Sequence, residues 1–185
     1  MTSIRVAMLV ASARTGSINR RLAKAIECLS PAGMRYFEVP MYEMPFYHGD
    51  LEADRPRSVR DFTDAIAAAD AVSIVTPEFN RSIPAVLKNA IDWGSKPLGA
   101  NVWKDKVIAM TGASPGAIGT AVGQQHLRQI LSILGGLVLP GEVYISFKSP
   151  DMIDDGGRVA DKNVEDFLRA YAERFHAFVM RMRAQ

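Results

Sequence analysis

The amino-acid sequence predicts an α/β fold in which a five-stranded parallel sheet is covered by helices on both faces. Apolar, β-branched segments alternate along the chain with segments of helical periodicity, and turn residues separate them. The strand segments are apolar almost throughout, which is typical of parallel strands buried on both faces. With 185 residues the chain can build a substantial core, and we expect a single domain over residues 1–185.

Periodicity and turn residues place the elements in order. Ser17 is the predicted N-cap of the first helix, and Pro84 falls in the first turn of the third. A loop rich in Met, Tyr and Pro occupies residues 40–56. The predicted strands are residues 4–11, 34–39, 71–76, 106–111 and 142–147, the last with an alternative start at 137. The predicted helices are residues 18–29, 57–69, 83–93 and 117–134, and a final helix is marked by Val164, Leu168, Tyr171, Phe175, Phe178 and Met182.

Five strands and five helices in this length fit the flavodoxin-like doubly wound order 2-1-3-4-5. In that order strands 1, 3 and 4 are neighbours at the centre of the sheet. A ligand is expected in the crevice beyond their carboxyl ends, where the winding direction reverses.

Composition excludes several classes of protein. The net charge of +2 is too small to favour nucleic acid or a membrane surface as a partner. No apolar run approaches the roughly 20 residues of a membrane-spanning helix. The apolar run behind Arg5 is too short for the core of a secretory signal, and the single cysteine, Cys28, suits a reducing compartment, so we expect a cytoplasmic protein.

The loop after the first strand has the features of a phosphate site. It leads into a helix N-terminus, whose unpaired N–H groups attract anions, and no Asp or Glu occurs between Met1 and Ile26. The alternative interpretation is that Ser17 only caps the helix and Arg14 is solvated. Neither G-x-G-x-x-G nor G-K-[ST] is present. The candidate donors are Ser12, Arg14, Thr15, Ser17 and Asn19, with Gly16 allowing a tight turn.

Two further loops are predicted to reach the same crevice. Residues 77–84 follow the third strand, and their backbone, with Phe79, Asn80 and Ser82, suits the edge and face of a flat heterocycle. Residues 112–119 follow the fourth strand, and their glycines allow backbone N–H groups to approach a ring. Taken singly, the second loop is an ordinary βα turn and the third a flexible surface loop. Together, the three loops indicate a nucleotide with a phosphate at one end and an electron-accepting ring at the other.

These motifs resemble those of the NADPH-dependent FMN reductase family. Residues 12–19, SARTGSIN, resemble its S-x-R-x-x-S-x-N loop, and residues 77–84, PEFNRSIP, followed by LKNAIDW at 87–93, resemble its P-E-Y-N-x-S-x-P signature. Residues 112–116, GASPG, and 126–128, HLR, resemble its third element. The branch of bacterial chromate and quinone reductases is the most similar.

The resemblance implies non-covalent FMN, NADPH or NADH as co-substrate, and homodimers or homotetramers. Phe79 stands where the family usually has tyrosine, so the ring is kept and the hydroxyl is lost. Arg81 stands at a variable position, where contact with the dinucleotide phosphates and a solvated side chain are the two alternatives. By position, the implied FMN-binding residues are Ser12, Arg14, Thr15, Ser17, Ile18, Asn19, Pro77, Glu78, Phe79, Asn80, Arg81, Ser82, Gly112, Ala113, Ser114 and Gly116.

The resulting hypothesis is an oxidoreductase that passes hydride from NAD(P)H through FMN to quinones, free flavin or other small acceptors in a ping-pong cycle. No side chain is assigned as catalytic acid or base, and the three histidines lack metal-ligand spacing. Two alternatives stay open: a flavodoxin-type single-electron carrier, and a flavin-free phosphosugar or nucleotide-binding protein.

Overall fold

The computed structural model of the protein describes residues 3–184. Its parallel sheet has the strand order β2-β1-β3-β4-β5, and a short sixth strand pairs with the end of β4. The predicted flavodoxin-like order is therefore confirmed. The strands are β1 Ile4–Val10, β2 Met34–Glu38, β3 Ala71–Val75, β4 Val107–Ser114, β5 Leu137–Val138 and β6 Tyr144–Ser146.

The α-helices form two layers, one on each face of the sheet. Side chains of β1 alternate between the layers: Val6 and Met8 pack with α1 and α5, whereas Ala7 and Leu9 pack with α2, α3 and α4. This alternation buries both faces of the central strands. The helices are α1 Ile18–Leu29, α2 Arg57–Ala67, α3 Ala85–Gly94, α4 Ala121–Ile133 and α5 Lys162–Arg183.

The single predicted fifth strand is replaced by two short strands. β5 pairs with the start of β4, and β6 pairs with residues 112–114 at its end. Pro140 lies between β5 and β6, and because proline has no N–H to donate to a ladder, continuous pairing is interrupted there. Glu142 and Phe147, predicted as the ends of one strand, lie outside both.

Other boundaries differ by a few residues. β4 continues through Ser114, three residues beyond the prediction, because Gly112 and Ala113 pair with β6 despite the weak strand propensity of glycine. α4 begins at Ala121 rather than 117, with Thr120 at its N-cap position, since a helix from 117 would run through Gly119. Pro84 is the N-cap of α3 and not part of its first turn.

The long loop at residues 40–56 is tied to α3 rather than free. Asn89 of α3 accepts from the backbone N–H of Tyr47 at 2.9 Å and donates to the carbonyl of Pro45 at 3.0 Å, and Trp93 Nε1 donates to the same carbonyl at 2.8 Å. Trp93 and Trp103 are fully buried in the layer of α2, α3 and α4. None of the helices in the described part of the chain is long and apolar enough to cross a bilayer.

Candidate functional site

The loop after β1 is held at both ends by hydrogen bonds. Ala11 donates its backbone N–H to Val75 of β3 at 2.9 Å, which fixes where the loop leaves the sheet. At the other end, Ser17 Oγ accepts from the N–H of Arg20 at 3.3 Å, so Ser17 is the N-cap of α1 as predicted. Ser17 Oγ also donates to Ser12 Oγ at 2.8 Å, which closes the loop across its base.

The outer part of this loop is rich in free donors. Among residues 3–184, no acceptor is hydrogen-bonded to the backbone N–H groups of residues 13–16, and the exposed Arg14 guanidinium has no ion-pair partner. Gly16 has φ +68°, a left-handed conformation that glycine adopts without strain, and nothing lies within 4 Å of an added Cβ. Open donors without a nearby carboxylate match the oxygens of a phosphate group.

Asn19 lies beneath the loop and not at its surface. Its side-chain amide is 2% exposed, donates to the carbonyl of Ala113 at 3.0 Å and accepts from the N–H of Ala113 at 2.9 Å. Because Ala113 belongs to β4, this pair of bonds ties the start of α1 to the end of β4, which is separated from β1 by β3 in the sheet. The structure thus places Asn19, predicted from the sequence to contact a phosphate, in this bridging position.

Replacing Asn19 with alanine should destabilise the protein by about 2–4 kcal/mol, because both backbone groups of Ala113 lose their side-chain partner in a buried place. Urea unfolding of Asn19→Ala against the wild type measures the change. Asn163→Ala removes an exposed amide at the start of α5 and should leave the free energy of unfolding within about 0.5 kcal/mol. A similar urea midpoint for the wild type, Asn19→Ala and Asn163→Ala would show that the hydrogen bonds of Asn19 to Ala113 contribute little to stability.

The segment after β3 is a tight hairpin rather than a plain βα turn. Phe79 and Ser82 exchange both backbone hydrogen bonds, each at 2.9 Å. The two residues between them, Asn80 and Arg81, have φ of 51° and 65°, the left-handed pair typical of a two-residue hairpin turn. Pro77 precedes the hairpin, and Phe79 is 56% exposed. The asparagine is the one sequence signal for this turn, since it tolerates left-handed backbone.

Glu78 faces α4 rather than an open surface. Its Oε2 accepts from the backbone N–H of Gly123 at 2.8 Å, in the first turn of α4, where a carboxylate is favoured by the helix dipole. Ser82 Oγ is 3.1 Å from Nδ1 of His126, one turn further along the same helix. The hairpin is therefore fastened to α4 at two points. Sequence reasoning assigned Glu78 to the ring of a ligand and did not find the fastening.

The third predicted loop is shorter than expected because Gly112 and Ala113 are buried strand residues. A Cβ added to Gly112 would lie 1.9 Å from the backbone oxygen of Thr76, so glycine at this position allows the close approach of the segment that follows β3. The exposed part begins after Ser114, whose Oγ accepts from the N–H of Gly116 at 3.2 Å. The structure thus places Gly112 and Ala113, which were predicted to contact a ring, within the sheet, and residues 115–118 are the exposed part of the segment.

Sequence reasoning left out Tyr42, which lies beside the first loop. Its hydroxyl donates to the carbonyl of Val10, the last residue of β1, at 3.2 Å. Burial raises the pKa of Tyr42 above its usual value, and the nearby Arg20 opposes the effect. The phenol therefore stays protonated at neutral pH as the donor of this bond. The only sequence feature that could have indicated Tyr42 is its place in the Met-, Tyr- and Pro-rich loop at residues 40–56.

A doubly wound sheet whose central strand ends carry a donor-rich loop and a fastened hairpin defines a flavodoxin-like α/β protein with a nucleotide site. The family described as NADPH-dependent FMN reductase matches residues 4–149. The chain belongs to this family. It is an enzyme with FMN as cofactor and NAD(P)H as co-substrate. An electron carrier and a flavin-free binding protein are thereby set aside.

Individual relatives are similar over their whole length. A 2-hydroxy-1,4-benzoquinone reductase of Burkholderia sp is 38% identical over 178 residues, covering 96% of this chain and 97% of that protein. A quinone reductase of Pseudomonas putida is 39% identical over 182 residues, covering 97% and 96%. Among solved structures, FerB, a flavoenzyme NAD(P)H:(acceptor) oxidoreductase from Paracoccus denitrificans, superposes with a TM-score of 0.92 at 36% identity, covering 97% of this chain and 98% of that one.

Proposed function

We propose that this enzyme transfers reducing equivalents from NADPH or NADH to quinones and other small acceptors, free flavin among them, with FMN bound non-covalently across the carboxyl ends of β1, β3 and β4. The observation that carries the proposal is the joining of the three segments at that edge. Asn19 links the first segment to β4, and Glu78 links the second to α4. Relatives at 38–39% identity that are named quinone reductases support the choice of acceptor.

The loop before α1 is proposed to bind the phosphate of FMN. The Arg14 guanidinium and the exposed Thr15 hydroxyl offer donors at its outer surface, and the free N–H groups of residues 13–16 add to them. Ser12 Oγ accepts the hydrogen bond that Ser17 donates, so the hydroxyl hydrogen of Ser12 is available for a phosphate oxygen. The donor set fits a dianion because the positive end of α1 adds to it and no acid lies in the loop.

The hairpin and residues 115–118 are proposed to border the flavin ring, which when bound accepts a hydride and passes electrons on. Phe79 supplies an apolar wall, and the two hydrogen bonds to Ser82 hold that wall in place. Backbone N–H groups in these segments offer donors for negative charge at the ring edge. Phe79 and residues 115–118 are exposed, and the proposal is that donor and acceptor bind in turn at the same face of the ring in a ping-pong cycle.

The purified protein should therefore be yellow, release FMN on denaturation, and oxidise NADPH in the presence of a quinone. Initial rates against benzoquinone at several fixed NADPH concentrations should give parallel double-reciprocal lines, as a ping-pong cycle requires. A panel including free flavin, an azo dye and chromate ranks the acceptors. A colourless protein that takes up no added FMN would contradict the proposal, and intersecting lines would contradict the ping-pong order.

We further propose that copies of the chain associate as a homodimer or homotetramer in the cytoplasm. The family resemblance is the basis for the association, and large apolar side chains on the surface of α4 and beside α3 support it: Ile133 is 85% exposed and Leu98 is 95% exposed. The lone cysteine is compatible with a reducing compartment.

A further inference from the structure

Arg81 occupies a backbone conformation that suits glycine better than arginine. It is the second residue of the two-residue turn between Phe79 and Ser82, with φ 65°. A side chain in the left-handed region crowds its own backbone, whereas glycine adopts that region freely. Strained residues of this kind persist where the surrounding structure holds them, and they concentrate at binding sites. The backbone conformation of Arg81 therefore indicates a binding role for its side chain.

The guanidinium is held loosely and left open to a ligand. Nη1 lies 3.6 Å from Oε1 of Glu78, and the Arg81 side chain is 63% exposed. The Glu78 side chain is 9% exposed, and its other oxygen accepts from the N–H of Gly123. Glu78 is thus anchored to α4 and orients the guanidinium without enclosing it. Several of the five N–H donors of Arg81 remain available for an anion.

Arg81 lies in a different segment from the residues proposed to bind the FMN phosphate. The three segments at the carboxyl edge, residues 11–17, 76–84 and 115–120, contain two arginines, Arg14 and Arg81. Arg14 precedes α1, which packs on one face of the sheet, whereas Arg81 is tied through Glu78 to α4, which packs on the other. With Arg14 assigned to the FMN phosphate, the guanidinium of Arg81 is left open to a second anion. In an enzyme that oxidises NAD(P)H, the dinucleotide brings that second set of phosphates.

We infer that Arg81 binds a phosphate of the nicotinamide dinucleotide, with the anchored Glu78 carboxylate as its positioning residue. The inference rests on the proposed function. In either case a phosphate oxygen accepts hydrogen bonds from the guanidinium. The phosphate is either the 2′-phosphate of NADPH or the pyrophosphate common to NADPH and NADH.

The test uses the FMN-loaded protein and the non-reducing probes NADP⁺ and NAD⁺ in titration calorimetry. In Arg81→Gly the dissociation constant for NADP⁺ should rise about five- to tenfold, because a charge-assisted contact is lost at a partly exposed site. The melting temperature should rise by about 1–3 °C as the strained turn is relieved. A loss confined to NADP⁺ identifies the 2′-phosphate, and an equal loss for NAD⁺ identifies the pyrophosphate.

Two control variants separate charge from backbone relief. Arg81→Lys keeps the charge and the strain, and its NADP⁺ affinity should fall by no more than about threefold. Asp105→Gly relieves the left-handed residue Asp105, φ 59°, away from the three segments, and should leave NADP⁺ binding unchanged. Unchanged NADP⁺ binding in Arg81→Gly overturns the inference, as does a loss of FMN affinity in its place. Failure of the wild type to retain FMN would instead overturn the proposed function.

Discussion

Replacing Arg14 with alanine should raise the dissociation constant of FMN by about 10- to 150-fold, which corresponds to about 1.5–3 kcal/mol for a charge-assisted hydrogen bond. The Arg14 guanidinium is exposed, lies in a loop without acids, and has no ion-pair partner within residues 3–184. The guanidinium is thus available to the phosphate dianion of the proposed FMN site. Titration of the apoprotein into FMN, followed by quenching of flavin fluorescence, measures the change.

The matched control is Arg57→Ala. Arg57 is an exposed arginine in the first turn of α2, with its Nε 3.5 Å from Oδ2 of Asp61, and its loss removes the same net charge. FMN affinity should stay within about twofold of the wild type, because Arg57 belongs to none of the three segments proposed to bind FMN. Equal losses in the two variants would show that net charge, and not a direct contact, governs binding. Unchanged affinity in Arg14→Ala would remove the phosphate assignment.

Gly112→Ala should destabilise the protein by about 3–5 kcal/mol, at the upper end for overpacking, since the nearest obstructing atom is a backbone oxygen that cannot rotate away. The added Cβ would lie 1.9 Å from the carbonyl oxygen of Thr76 and 2.6 Å from Oγ1 of Thr120. β3 and β4 therefore have to separate at the edge where the hairpin starts. Urea unfolding of the apoprotein measures the loss, and FMN affinity should fall with it because the hairpin is displaced.

Gly49→Ala is the control for this substitution. An added Cβ at Gly49 meets nothing within 4 Å, and the residue lies in the short 3-10 turn Gly49–Leu51, away from the three segments. Its free energy of unfolding should stay within about 0.5 kcal/mol of the wild type. A Gly112→Ala protein as stable as this control would mean that the strand ends yield at little cost, and that the close approach of Thr76 is not a constraint on the site.

Local pattern was sufficient for most elements of the fold. Apolar residues recur at helical spacing throughout residues 18–29, with Ser17 directly before them, and α1 has those bounds. The strand predicted at 71–76 is apolar except for Ser73 and Thr76, and β3 lies there at the centre of the sheet. The pattern was least informative after Val138, because Pro140 and two very short strands carry too few residues for a period to be visible.

The functions of several polar residues were not visible in the sequence. Asn19 stands within a motif that reads as phosphate-binding, yet its amide bonds to Ala113, 94 positions further along the chain. Glu78 stands in a turn motif, yet its carboxylate accepts from Gly123, 45 positions away. A side chain with hydrogen-bonding capacity shows its type in the sequence but not its partner, because partners come from elements that only folding brings together.

The sequence by itself determined the class of fold, the edge of the sheet at which the polar segments meet, and the absence of acids from the first loop. These follow from local properties: periodicity, turn residues and side-chain charge. The tertiary structure decided which of those polar residues remain open to a ligand and which join the segments to one another. The physical reason is that a buried amide or carboxylate must be paired, and pairing depends on the register of neighbouring strands and the position of α4, which no local pattern encodes.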